Sequence, residues 1–554
     1  LYIHDLGGDY RKAHTGSNLF RVSIGNAIYC VRPSTDANSY FLQSYQASRE
    51  EKRAHILELA NSAAVLDAFE EITPAFEEVY SFPRWEEAPN WPTIDQMYLL
   101  AFTPLQEQRG MTLIDASLSA LRERVQTGVL TESFQQAQNE LPLLWRGRGD
   151  GIEEPFRGWS GFNPEVEWNR LNQMEQMNID GWYSTITRSA FNHLHAFVPP
   201  ALPREQRGNL WNRARDDARL LANDDVGKIC VASREINYGN FPRACWVPQL
   251  TLGADPMFRN GRAIPTYLSG DVASTNLTPT FTNWLRDGMS IPLEIEDSNL
   301  SNLVWMHVLC VLNTPTYLEY DFVSPPGGEF LPIPFPASWE LFQLSATHGE
   351  EIARLQTLSN DVEHSDCLRE YAELSNQILN FFDFNPSSTN NNELTPIQIA
   401  QAGFQPDSRH ATGGSRISAR NNFFEYDAAN NGIIESLQNN ENLNQELISQ
   451  NSDFISQLEG LGVRRIRIDN DVVVSGIPAI VADFNIGQKP GSNLVSMWLA
   501  WRSENQRGGD ISDIFWNQFS LLIRNILTQI LFMNCELNQT YSSWAEDVIG
   551  DWEE

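Results

Sequence analysis

The spacing of apolar residues divides the chain into segments of period two and segments of helical period. The first forty residues, through "FRVSIGNAIYCVRPS", alternate enough to predict strands. Ser48 to Phe69 then carries leucines and alanines at helical spacing, and Leu113 to Leu141 does the same, with Leu113, Leu118, Leu121 and Val125 on one broad apolar face. Residues 348 to 382 place Ile352, Leu355, Val362, Leu368, Tyr371, Leu374 and Ile378 near one helical stripe. Residues 432 to 458 repeat the pattern with Ile433, Leu437, Leu447, Phe454 and Leu458. Between them, "NPSSTNNNELTP" and "QPDSRHATGGSR" have loop composition. From Val463 the period returns to two, predicting a strand pair about Asp469-Asn470-Asp471, followed by a helix through "NLVSMWLAW" and a final apolar helix. The pattern predicts an α+β chain without a repeat. It divides into residues 1–345, a helical, Asn/Ser-rich and inserted or projecting segment at 346–462, and a closing part at 463–554.

The stretch "GRAIPTYLSGDVASTNLTPTFTNW", Gly261 to Trp284, holds the densest local signals. Thr278-Pro279 has the form of a helix N-cap followed by proline at the first helical position, where its missing N–H costs nothing. Phe281, Trp284 and Leu285 then share a face, and Gly288 stands where a left-handed C-cap residue is expected. Asp271 has the chemistry of a general base or metal ligand. No His, Cys or second carboxylate lies within a few residues, so it is expected to bond its own Ser-Gly-Asp turn.

Composition narrows the classes. The chain has 554 residues, with 42% hydrophobic and 11% aromatic content, enough for large cores and inconsistent with a wholly disordered chain. A formal charge of −32 argues against a main surface that grips phosphates. The six cysteines (Cys30, Cys230, Cys245, Cys310, Cys367, Cys535) include no C-x-x-C pair and are expected as free thiols, with no structural metal. The opening "LYIHDLGGDY" is not expected to be a secretory signal. Asn517, Gln518, Arg524, Asn525 and Gln529 interrupt the apolar stretch Ile511 to Met533, which is therefore expected to pack on protein and not to span a membrane.

Several segments imitate sites. Gly147, Gly149 and Gly151 do not fit a dinucleotide loop, and Gly158 to Phe162 fails the G-x-S-x-G pattern because Phe162 takes its last place. Glu86 and Glu87 in "RWEEAPNW" are adjacent and so point apart, which weakens a carbohydrate-hydrolase reading that two carboxylates about 5 to 10 Å apart would support. His193 and His195 in "NHLHAF" are expected on opposite sides of an extended segment, as packing groups more than as a zinc or nucleophile site, and His307 is expected as a satisfied core histidine. No catalytic, cofactor-binding or metal-binding residue is assigned, and no cofactor is expected.

An ordered set of motifs resembles the capsid protein (Gag) of totiviruses, double-stranded RNA viruses that include yeast L-A virus. These motifs are Gly261-Arg262, Pro265, Leu268-Ser269-Gly270-Asp271 and Trp284; Leu312-Asn313-Thr314 with Tyr317-Leu318; Val472 to Val474 with Gly476-Ile477-Pro478; and Trp498-Leu499-Ala500-Trp501 with Asp510. Ser475 is an extra residue before Gly476. The resemblance implies a large, helix-rich, plate-like subunit with small β-sheets, self-assembling as asymmetric dimers into a T=1 icosahedral shell. It further implies a virion in the host cytoplasm, weak contacts to packaged double-stranded RNA, the viral RNA-dependent RNA polymerase as a partner, no membrane, and no enzyme activity. The acidic balance fits a wall that does not adhere to RNA. The alternative is an acidic hydrolase acting on carbohydrate. A further alternative is the cap-removing activity of the yeast relative, whose histidine has no counterpart here. Arg146, Arg148 and Arg157 would hold phosphate, and Trp145 or Trp159 would stack the base.

Overall fold

The computed structural model describes residues 91–102, 112–142, 144–145, 163–173, 179–199, 210–212, 227–232, 242–251, 261–268, 275–318, 330–358, 364–384, 432–467, 473–486 and 512–550. To these it adds short strands at 2–7, 26–30, 39–43, 70–72, 106–107 and 424–427 and the single or paired positions 54, 362, 494–495, 498 and 552. Asp271, Glu86, Glu87, Arg146, Arg148, Arg157 and Trp159 lie outside the described residues, as does almost all of the expected helix at 48–69.

The chain divides into two units: Leu1–Asp95 with Ser233–Asn240 and Tyr320–Pro332, and the remainder. In the smaller unit, strands β1 (Tyr2–Gly7), β2 (Asn26–Cys30), β3 (Ser39–Gln43) and β4 (Glu70–Ile72) form a sheet of order β2-β1-β3-β4. Its β1–β3 pair is parallel and the other two pairs are antiparallel. The alternation at the start of the chain does correspond to strands.

In the larger unit, the segment Leu113 to Leu141 is shorter pieces and not one helix. These are strand β6 (Ile114–Asp115), which follows β5 (Gln106–Glu107), then helices α1 (Leu118–Gly128) and α2 (Phe134–Glu140). Two serine caps impose the breaks. Ser117 Oγ accepts from Ala120 N at 3.3 Å and Ser133 Oγ from Gln136 N at 3.3 Å. Helix α3 (Pro164–Gln173) follows, and Leu171 joins Leu121, Val125, Trp145 and Phe197 in one buried cluster.

Strands β7 (Tyr183–Ser189) and β8 (Asn192–Phe197) form a hairpin at the centre of the sheet β12-β7-β8-β6, where β12 is Leu250–Thr251. A short strand β9 (Trp211–Asn212) pairs with β5. A second sheet has the order β11-β10-β13, from β10 (Lys228–Val231), β11 (Ala244–Val247) and β13 (Arg262–Pro265), and both of its pairs are antiparallel.

Helix α4 (Pro279–Met289) starts as expected: Thr278 Oγ1 accepts from Phe281 N at 3.4 Å and Pro279 occupies the first turn. Its end differs. Ser290 takes the left-handed cap at φ 52°, whereas Gly288 lies inside the helix, where a Cβ would run into Ile549. Close packing therefore explains the glycine better than cap geometry does.

Helix α5 (Asp297–Val311) packs along α6 (Trp339–Gln356), and Gly349 makes the approach possible because a Cβ there would overlap the Met306 carbonyl. The stripe from 348 to 382 is two helices, α6 and α7 (Arg369–Phe381), and its named apolar residues are all buried. The stripe from 432 to 458 is three short helices, α8 (Ile433–Gln438), α9 (Gln445–Gln450) and α10 (Ser452–Leu461), because Asn444 caps α9 by accepting from Glu446 N and Leu447 N.

Strand β14 (Phe424–Asp427) lies against β15 (Val463–Arg467), which pairs antiparallel with β16 (Val473–Pro478) as the period-two pattern predicts. Helix α11 (Ser512–Phe532) packs on α7, runs into a π-helical turn at Met533–Leu537, and continues as α12 (Asn538–Trp544). Among the described residues no helix is long and apolar enough to cross a membrane. The architecture is α+β, mixing helices with small, mainly antiparallel sheets.

Candidate functional site

The residues singled out from the sequence do not converge on one reactive centre. His307 on α5 is fully buried, with Ser345 Oγ 2.9 Å from Nδ1 and the Pro334 carbonyl 2.9 Å from Nε2. A carbonyl can only accept, so the proton sits on Nε2 and Ser345 donates to Nδ1. Burial lowers the His307 pKa to about 4, against the pull of the Pro334 carbonyl, and the ring stacks near Phe335, Phe342 and Trp544. It is a satisfied core histidine. His348, on the same helix as Ser345, is likewise lowered to about 4 by burial.

His193 and His195 share one face of β8, correcting the expectation of opposite sides: side chains two apart in a strand point the same way. Trp145 is fully buried and donates from Nε1 to the Gly128 carbonyl at 2.7 Å, so it closes a core and is no platform for a base. Cys230, Cys245, Cys310, Cys367 and Cys535 are all free thiols. Burial raises Cys310 to about 11 and Cys367 to about 12, with Glu536 and Glu351 adding to the second, so neither is a ready nucleophile. Among the described residues no group of three His, Cys, Asp or Glu side chains could hold a metal ion.

The most concentrated polar chemistry is a buried junction that sequence reading did not single out as a site. Gln356 ends α6. Its backbone carbonyl accepts from Phe191 N at 3.1 Å and from His193 Nε2 at 2.8 Å, and its side-chain oxygen accepts from Trp246 N at 2.8 Å. The Gln356 amide nitrogen donates to Gln529 Oε1 at 3.4 Å. Gln529 in turn donates to Asn313 Oδ1 at 3.1 Å, and Asn313 donates to the Ala244 carbonyl at 3.2 Å and to Leu309 O at 2.8 Å. Nearby, Asn525 donates to Leu355 O at 3.3 Å, and Thr187 Oγ1 lies 2.9 Å from His193 Nδ1. Gln356, Gln529, Asn313, Asn525 and Thr187 are fully buried.

Each bond answers a specific need. Strand β11 is a sheet edge, and Trp246 N and Ala244 O are the backbone groups it would otherwise leave unpaired in the interior. Side-chain amides of Gln356 and Asn313 satisfy these two groups. At the α6 C-terminus the Gln356 carbonyl is taken up by Phe191 N and the His193 ring, and Asn525 adds a bond to Leu355 O, which also accepts from Leu358 N. The bonds tie the β7–β8 hairpin, β11, α5, α6 and α11 together. Tight coupling of Phe191 to Gln356 also holds Phe191 at φ 61°, a conformation a bulky side chain rarely adopts. The signal for this junction lay in polar residues inside an apolar helix, Asn525 and Gln529, and in Asn313 directly after α5. In sequence they carried no indication of their partners.

No protein-family model matches the chain, and no curated protein matches it. Several solved structures match it, among them three that align with nearly all of it. They are a cryo-EM structure of the DrdV–DNA complex (13% identity, 98% of this chain and 47% of that one, TM-score 0.48), a nuclease-deletion mutant of the Type ISP restriction-modification enzyme LlaGI with a DNA substrate mimic (10%, 97% and 43%, 0.46), and the ATP-dependent Type ISP restriction-modification enzyme LlaBIII bound to DNA (11%, 97% and 31%, 0.46). The chain spans less than half the length of each.

These matches are to DNA-bound proteins and not to capsid proteins. On that finding the totivirus capsid resemblance is corrected, together with the self-assembling shell, the packaged RNA and polymerase partners, the carbohydrate-hydrolase alternative and the absence of enzyme activity. At these identities and TM-scores the likeness assigns this chain neither a fold nor an activity.

Proposed function

We propose that the larger unit is a scaffold, holding binding surfaces of a macromolecular assembly in fixed relation. The observation that supports this reading is the Gln356–Gln529–Asn313 junction, in which buried amides are spent on backbone groups of strand β11 and the ends of two helices, with their hydrogen bonds directed inward. Duplex DNA is the first partner to test, because each aligned structure is described with DNA. The charge of −32 favours a local, salt-sensitive contact over a broad basic face.

Amide hydrogen exchange of the full chain, with and without duplex DNA at low salt, tests the proposal. The scaffold reading expects Phe191, His193 and Trp246 among the slowest amides, with rates unchanged by DNA. Rapid exchange at the junction, or a DNA footprint centred on it, contradicts the reading.

A further inference from the structure

We infer that Cys230 and Cys245 form a redox pair, able to close into a disulfide across the β10–β11 ladder. The two residues are register partners on adjacent antiparallel strands, so their side chains leave the sheet on the same side. Two observations place them at a hydrogen-bonded position of the ladder. Ala232 N donates to Arg243 O at 2.9 Å, one pleat period beyond the cysteines. Trp246 N and Ala244 O instead turn outward, to Gln356 and Asn313. At such positions opposed Cα atoms lie about 5.5 Å apart, inside the disulfide range, but the Cβ atoms stand slightly wide of the usual spacing. The bond is therefore formable and strained, which makes it more easily reduced than a structural disulfide.

In sequence the two strands flank residues 233–240, so a 230–245 bond would close the chain into a loop there.

The co-reactant is a small-molecule disulfide, RSSR. One cysteine thiolate attacks a sulfur of RSSR, forming a mixed disulfide and expelling RS⁻, which takes up the proton lost by the attacking thiol. The second cysteine, losing its own proton, attacks the cysteine sulfur of the mixed disulfide and expels the second RS⁻, which is protonated in turn. The protein loses two protons and two electrons and RSSR becomes two RSH. Both thiols are buried, at 1% and 0% exposure, and burial together with the neighbouring thiol raises Cys245 well above its ordinary range. Reaction thus waits on opening of β11, the edge strand held by Gln356 and Asn313.

The test is incubation of the full chain with oxidised glutathione near pH 8, followed by alkylation, digestion and mass mapping. The expected product is one intramolecular link between the Cys230 and Cys245 peptides, reversed by reduced glutathione, with Cys310, Cys367 and Cys535 still alkylated. In Gln356→Leu, which removes one restraint on the edge, the link should form on the order of tenfold faster. Two cysteines that stay alkylatable, or are recovered only as mixed disulfides or with another cysteine, overturn the pairing. A Q356L rate equal to that of the unaltered chain overturns the edge-opening route.

Discussion

His307 shows how one side chain's surroundings set its chemistry. Its folded pKa, and that of His348, lie at about 4, below the ordinary value of 6.5. As pH falls from about 6.5 towards 4, the unfolded chain takes up protons that the folded chain refuses, so stability present above that window is lost within it. Between pH 7 and pH 5 each histidine should withdraw about 2 kcal/mol. Urea unfolding at the two pH values measures this, and His307→Leu should remove a share of the difference while lowering stability at pH 7. A pH dependence equal to that of the unaltered chain would show that His307 already ionises in the fold. Its character as a core histidine was legible from an apolar run around it, "LVWMHVLCVL". The partners Ser345 and Pro334 were not legible, because they come from segments far along the chain.

At the scale of elements, caps and close contacts decided what periodicity could not. Thr278-Pro279 was readable because a cap is local, and Thr278→Ala should cost about 1 kcal/mol in thermal or urea unfolding. Ser117, Ser133 and Asn444 are equally local caps, yet a stripe of apolar positions concealed them, and expected long helices resolve into short ones. Gly288 and Gly349 carry the opposite lesson. Each is a helical glycine whose reason is a neighbour distant in sequence, Ile549 and Met306 respectively. Gly349→Ala pushes a methyl group into the α5 backbone and should destabilise by about 3 kcal/mol. Unfolding midpoints check this, and a loss below about 0.5 kcal/mol would mean that α5 and α6 separate at little cost.

For the whole molecule, general features were legible and specific identity was not. Alternating and helical periods gave the α+β mixture, and the polar residues in Ile511 to Met533 marked a helix packed on protein. The capsid resemblance rested on short motifs in order. Several of them, such as Leu312-Asn313-Thr314 and Gly476, have local structural reasons: Asn313 closes the junction, and Gly476 sits at φ +75° against the Phe382 and Asp383 backbone. Residues fixed by such needs can match in order without common function. The junction itself was invisible because its members come from five elements spread between Thr187 and Gln529, joined only by folding.

The scaffold account is tested most directly by a double-mutant cycle on Gln356→Leu and Gln529→Leu, read by urea unfolding of the full chain. Each single change should cost about 2–4 kcal/mol by leaving buried backbone or amide groups unpaired. The pair should cost less than their sum by about 1 kcal/mol or more, because each side chain serves the other. Strict additivity, with neither change lowering stability, would contradict the claim that this junction holds the larger unit together.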